Sequence, residues 1–253
     1  MKNKSAQLRQ RLQKGEVLLG TLLSLNAPEV AELFAEVGFD WLFIDGEHGM
    51  YDAHALQTML QGAGRNIDCL IRIPALDEGA IKKALDAGAA GVIVPQVNTA
   101  EQAESVVRWG RYPPAGSRGL GIARAQHYGL SLQEYAQTAN DCLALVVQAE
   151  SAEAVRNIEV IAKVSGIDAV LIGPYDLSSS LGRPGELGHP EVCDAIDRIT
   201  RVCQASGMPL GIFGMTAESV RPYIKQGFQL IVAGIDIVLL GNAAQEIYFQ
   251  LKA

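Results

Sequence analysis

The feature that most constrains this chain is a recurrence of eight short apolar runs, most of them followed by a helix-like segment. They occupy Leu18–Leu25, Trp41–Asp45, Cys69–Ile73, Gly91–Pro95, Ala144–Gln148, Ala169–Ile172, Pro209–Phe213 and Leu230–Ala233. Most are rich in β-branched residues or leucine and do not alternate polar with apolar, the pattern of strands buried on both faces. Between them the period changes. Glu29–Val37 carries a helical stripe and Gly38 stands where a C-cap belongs. Ala84–Gly91 repeats that order of helix end, glycine and strand. Alternation of this kind specifies a parallel α/β fold. Eight units predict a closed (β/α)8 barrel, and the length of 253 residues suits one, since such barrels typically run to about 250. An open doubly wound sheet that binds a dinucleotide would need a glycine-rich phosphate loop after its first strand. That position reads Ser24-Leu-Asn-Ala-Pro28. No linker or low-complexity segment interrupts the pattern, so residues 1–253 are read as one domain. The longest irregular stretch, Gly110–Gly129, is expected to form an ordered loop over the barrel mouth.

Charge and cysteine usage exclude several functions. A net charge of −7 lacks the basic footprint of a nucleic-acid or anionic-membrane surface. No apolar run approaches the roughly 20 residues that span a bilayer, and the opening Met1-Lys-Asn-Lys-Ser-Ala-Gln-Leu-Arg9 has no apolar core of a signal peptide. A cytoplasmic location is the expectation. Cys69, Cys142, Cys193 and Cys203 show no metal-finger spacing and are expected to be free thiols.

Active sites of such barrels lie at the C-terminal ends of the strands. There the sequence places Asp45-Gly-Glu47-His48, Arg72-Ile-Pro74, Gln96, then Gln148-Ala-Glu150, and Gly173-Pro-Tyr-Asp176. Glu150 and Asp176 follow neighbouring strands. Two carboxylates brought to one spot repel unless a cation separates them, and a hard divalent metal is the simple candidate. His48 could brace a loop, but beside Asp45 and Glu47 it suits a general base. Arg72 lies between Ile71 and Ile73, where a guanidinium needs an anion; a structural partner and a substrate carboxylate both satisfy it. Asp86 opposes the dipole at a helix end, which suggests a specific partner against the plainer reading of a solvated residue. Gly173-Pro174 is a sharp turn into a short helix. Its positive end near Asp176 suits a bound carboxylate, and a simple capping role is the alternative. No lysine closes a predicted strand, which disfavours imine chemistry.

Six segments together resemble the HpcH/HpaI aldolases, metal-dependent pyruvate aldolases. They are Phe43–Gly49, Arg72–Pro74, Ala87–Gln96, Gly119–Ala125, Gln148–Glu150 and Gly173–Gly182, in that order. The resemblance runs from Gly20-Thr21 through the last helix. It implies a TIM barrel of the phosphoenolpyruvate/pyruvate type that reversibly cleaves 4-hydroxy-2-oxo acids or 2-keto-3-deoxy sugar acids to pyruvate and an aldehyde. Glu150 and Asp176 would hold a divalent cation, magnesium, manganese or cobalt, chelated by pyruvate. Arg72 would stabilise the enolate oxygen. His48 would be the acid/base, directly or through a water on the metal. Asp86 would raise the basicity of His48, and Asp45 would join the same hydrogen-bonded cluster. Gln148, Tyr175 and the turn Gly173-Pro174 with Asp176 would contact substrate. Family members are oligomers, commonly trimers of dimers that exchange the last helix, and the apolar Ile247, Phe249 and Leu251 fit that picture. Tyr175 stands where the best-known members carry a small residue, and Gln126-His-Tyr-Gly129 also differs. Both departures bear on the acceptor aldehyde. A same-fold lyase or decarboxylase, and a barrel that only binds a metabolite, are the rival readings.

Overall fold

The computed structural model describes residues 8–252. Its centre is a closed ring of parallel strands in sequential order: β1 (Leu18–Leu23), β2 (Trp41–Asp45), β3 (Asp68–Arg72), β4 (Gly91–Val94), β5 (Ala144–Ala149), β6 (Ala169–Ile172), β7 (Leu210–Gly214) and β8 (Leu230–Ile235). The helices are α1 (Leu8–Gln13), α2 (Pro28–Val37), α3 (Ala53–Gly62), α4 (Glu78–Asp86), α5 (Ala100–Gly110), α6 (Leu132–Cys142), α7 (Ala152–Ile161), α8 (Pro174–Ser180), α9 (Pro190–Ser206), α10 (Ala217–Lys225) and α11 (Asp236–Lys252). The eight predicted strands are all present. β1 stops two residues before its predicted end because the amides of Ser24 and Leu25 turn to the Asp236 carboxylate instead of the sheet. α2 ends at Gly38, which takes the left-handed φ of 99°.

The absence of alternation in the strands has its cause in two separate cores. Residues of one parity, such as Leu42, Ile44, Ile71 and Val147, face outward and pack under the helices. Those of the other parity, such as Trp41, Phe43, Leu70, Val146 and Leu171, fill the barrel interior. Successive side chains of a strand point to opposite faces. Continuing the inward parity therefore sends Asp45, Arg72, Gln148 and Glu150 into the ring at its mouth. At the other end α1 closes the barrel: Leu8 and Leu12 are buried in the interior core.

One expectation is corrected here. The stretch 110–129 does not cover the mouth. α5 intervenes after β4 and returns the chain to the foot of the barrel, where the stretch is held. Buried Arg111 donates to the carbonyls of Leu143 and Gly166 and to Asp168, all at strand starts. Arg124 donates to the carbonyls of Leu60 and Ala87 at helix ends. The segment Gln126–Gly129 lies in the same 3-10 turn at the foot. Within one subunit it does not bear on an acceptor pocket at the mouth. No helix among the described residues is long and apolar enough to cross a membrane, and all four cysteines are free.

Candidate active site

A cavity of about 350 Å³ opens at the C-terminal mouth, lined by Asp45, His48, Arg72, Gln148, Gly173, Pro174, Tyr175 and Asp176 among others. Its polar side is built on the β2–β3 register, which sets Asp45 directly beside Arg72. The Arg72 guanidinium is buried and donates through Nε and Nη2 to the two Asp45 oxygens at 2.8 Å each. Its Nη1 lies 3.0 Å from Glu47 Oε2. The arginine therefore has a bidentate structural partner and also lines the cavity. Burial works against its charge, yet the hydrogen bonds and charge of Asp45, with Glu47 and Glu150, hold its pKa above the ordinary value.

Asp45 also shapes the turn that follows β2. Its Oδ1 accepts the backbone N–H groups of Glu47 and His48 at 3.2 and 3.3 Å. Gly46 makes this turn possible: a Cβ there would meet the Arg72 carbonyl at 2.6 Å. The His48 side chain consequently stands at the rim, two-thirds exposed, with Nε2 3.9 Å from Glu47 Oε2. The Asp45 carboxylate thus accepts from the His48 backbone N–H and from the Arg72 guanidinium.

Asp86 is not part of this cluster within the subunit. α4 runs back from the mouth, so its last residue lies at the foot, where Asp86 Oδ1 accepts from buried Arg118 at 2.7 Å. Within one subunit the course of α4 thus separates Asp86 from His48.

The β5–β6 register pairs Ala149 with Ile172 and so sets Glu150 beside Gly173. A Cβ on Gly173 would lie 2.7 Å from Gln148 Nε2 and 2.8 Å from Glu150 Oε2, so any larger residue would push these side chains out of place. Glu150 is almost wholly buried. Its Oε1 accepts the backbone N–H of Gln96 at 2.8 Å, and its Oε2 accepts from Gln148 Nε2. Burial pushes the Glu150 carboxyl up to about 7, assisted by the charges of Asp176 and Glu47, while the Gln96 hydrogen bond and Arg72 oppose the shift. Glu47 is raised too, chiefly by burial, with Arg72 pulling the other way. Asp176 sits in the first turn of α8, which opens with Pro174.

Three residues without a role in the sequence reading prove to shape the mouth. Glu47 bridges Arg72 and the His48 ring. Gln96 adopts a left-handed φ of 55°, rare for a residue with a side chain, and thereby aims its amide at Glu150. Asp236 ties the ends of β1 and β8 together through the backbone amides of Ser24 and Leu25. Pro95 before it is a turn signal, but no glycine marks Gln96 as the residue of positive φ. Asp236 is one acidic residue between two apolar stretches.

The oxygen atoms here suit a hard cation. Glu150 and Asp176 supply carboxylates. The Gln148 side-chain carbonyl is buried without any hydrogen-bond partner. Among the described residues no group of three or more histidine, cysteine, aspartate or glutamate side chains forms a protein-only metal cage. The cavity lining contains no lysine, so an imine-forming amine is not at hand.

Comparison with known proteins agrees with this geometry. The profile of the HpcH/HpaI aldolase/citrate lyase family matches residues 19–243. A 4-hydroxy-2-oxovalerate aldolase of Rhodococcus jostii is 43% identical over 91% of this chain and 90% of its own. A hydroxypyruvate/pyruvate aldolase of Pseudomonas aeruginosa is 40% identical over 96% of this chain and 92% of its own. Among solved structures, an HpcH/HpaI aldolase/citrate lyase family protein from Burkholderia cenocepacia superposes with a TM-score of 0.93 at 35% identity, covering 97% of this chain and 99% of that one. With its ring of strands, its clustered mouth residues and these matches, the chain belongs to the HpcH/HpaI aldolase/citrate lyase family.

Proposed function

We propose that the mouth is a metal-assisted aldolase centre in which Glu150 and Asp176, with the Gln148 carbonyl, hold magnesium, manganese or cobalt and a 2-oxo acid such as pyruvate. The chain is a carbon–carbon lyase of the aldolase kind, as its family and its relatives of about 40% identity indicate. The observation that carries the metal reading is the Glu150 carboxylate: buried, pushed up to about 7, and set against Asp176 and Glu47. Holding such a group as an anion costs stability, and a divalent cation between these carboxylates would offset that cost. When bound, a divalent ion supplies the positive charge that polarises a 2-oxo acid and spreads the charge of its enolate.

The remaining chemistry belongs to the chain. Arg72, fixed by Asp45, presents its guanidinium to the cavity, where it stabilises negative charge growing on the keto oxygen. In the cleavage direction His48 takes the proton of the 4-hydroxyl group. The C3–C4 bond breaks, its electron pair passes to the 2-oxo fragment, and the aldehyde departs. The enolate fragment is then protonated at carbon to give pyruvate. Glu47 acts on both groups as a positioning residue. Gln148 and Gly173-Pro174-Tyr175 form the floor and one wall for the substrate. The exposed apolar row of α11, including Ile247, Phe249 and Leu251, supports a homo-oligomer in which a second copy covers this helix, which sedimentation velocity would test.

The direct test is exchange of the pyruvate methyl protons in deuterium oxide, with manganese and with chelator, followed by NMR. Metal-dependent exchange together with cleavage of a 4-hydroxy-2-oxo acid is expected. Exchange that chelator leaves untouched would refute the metal reading.

A further inference from the structure

The cavity mouth has two chemically different halves, and the division follows the order of the strands. Asp45, Arg72, Gln148, Glu150 and Asp176 come from the ends of β2, β3, β5 and β6. On the facing arc β7, β8 and β1 are consecutive neighbours in the closed ring. From that arc the cavity is lined by Leu22, Phe213, Met215, Ile235 and Ile237, with Ser24 the polar exception; Tyr175 of the β6–α8 turn joins this wall, while Asp176 of the same turn belongs to the polar half. The Tyr175 and Phe213 rings lie against each other, centroids 6.0 Å apart, and close the wall between β6 and β7.

This wall depends on a local irregularity. Along the β1–β8 ladder, Gly20 pairs with Val232 but Leu22 pairs with Ile235. The extra residue falls at Gly234, whose φ of 81° breaks the alternation. Without the bulge, Ile235 would have the outward parity of Ala233. With it, Ile235 faces the cavity beside Leu22. The apolar surface is therefore constructed by a backbone feature and is more than a by-product of strand composition.

The charges of the site point the same way. Arg72 is the one arginine or lysine that lines this cavity among the described residues, and it is already engaged by Asp45 and Glu47. A second carboxylate, at the far end of an acceptor, would meet the Asp45 and Asp176 carboxylates of the lining or the apolar wall. It would lose hydration without gaining a counter-ion.

Resting on the aldolase reading above, we infer that the facing arc is the acceptor subsite and that it selects aldehydes with an uncharged hydrocarbon substituent, which lies along Leu22, Ile235, Phe213 and Tyr175. In the addition direction the enolate carbon attacks the aldehyde carbon. The π pair of the C=O moves to oxygen, which takes a proton from His48 at the rim beside β1, and the alkyl tail extends away from the polar half.

The test measures kcat/KM with manganese and saturating pyruvate for acetaldehyde, propanal, butanal and hexanal, and for succinic semialdehyde. Burial of each added methylene should raise kcat/KM by about three- to fourfold, and hexanal should exceed succinic semialdehyde by at least about tenfold, a modest figure beside the cost of an unpaired buried charge. Ile237→Arg, at a half-exposed position in the first turn of α11, should move the ratio toward succinic semialdehyde by about tenfold or more, as one new ion pair in a partly buried site allows. The chain-length series needs no variant, so it decides the matter even if the arginine is not tolerated. A flat or falling series, or a wild-type preference for succinic semialdehyde, overturns the acceptor inference. Pyruvate methyl exchange in the same samples separates the two levels. Exchange present with a charged preference sinks the acceptor inference alone, whereas exchange absent sinks the aldolase reading and this inference with it.

Discussion

Replacing Glu150 with glutamine should strengthen the metal-free fold at alkaline pH while removing its response to metal. The carboxylate rises from 4.5 to about 7 in the folded state. A shift of about 2.5 units at 1.36 kcal/mol per unit is roughly 3 kcal/mol. The sign follows from proton linkage: the folded state holds this proton more tightly than the unfolded chain. Stability from this group is therefore complete below about pH 4.5, falls as pH rises through about 7, and is level above. Glutamine has no charge to lose. Its carbonyl can keep the Gln96 N–H, and a flipped Gln148 could offer its own unpartnered carbonyl to the new amide. At pH 8 with chelator, Glu150→Gln should exceed wild type by up to about 3 kcal/mol, or several degrees in Tm for a domain of this size. Near pH 4.5 the two should coincide. Manganese at about 100 times its Kd should raise wild type by about 2.7 kcal/mol and the variant hardly at all. Differential scanning calorimetry over this range, with chelator and with manganese, reads both effects. A variant no more stable than wild type at pH 8 without metal would refute the reasoning, as would one that gains as much from manganese.

Arg72→Ala should leave manganese affinity near wild type while pyruvate methyl exchange falls to background. It should also destabilise the protein by about 3–5 kcal/mol because the buried Asp45 loses its partner; normal exchange would show the assigned role to be wrong, and Arg72→Lys is the better-folded companion. Gly173→Ala pushes a methyl against Gln148 and Glu150 and should weaken manganese binding at least tenfold by titration, with a stability loss of about 1–3 kcal/mol. Asp168→Ala, at the foot of the barrel, should cost about 3 kcal/mol or more by denaturant unfolding while methyl exchange per folded molecule stays unchanged.

The barrel was legible because parallel buried strands and amphipathic helices have different periods, and eight repetitions leave few other folds. Strand-end residues were legible for a related reason. Alternation fixes which side chains face inward, and the register then brings Asp45 to Arg72 and Glu150 to Gly173. What escaped was set by three-dimensional direction. The stretch after Gly110 follows a helix that returns the chain to the foot, so nearness to a strand end in sequence did not mean nearness to the mouth. The φ of Gln96 escaped because glutamine gives no warning of a left-handed backbone. The bulge at Gly234 left a trace, a glycine inside an apolar run, but not which neighbour it would turn inward.

Asp168 immediately precedes β6, and Asp176 follows that strand on the opposite side of the molecule. Two guanidinium groups grip Asp168, Arg9 of α1 at 2.6 Å and Arg111 at 2.7 Å. β6 is thus moored at its beginning, and it cannot slide along its neighbours without breaking that mooring. A helix that plugs the floor therefore helps determine the height at which an acidic side chain is offered at the ceiling, and some of the accuracy of the reaction chamber is owed to a helix that never meets a substrate.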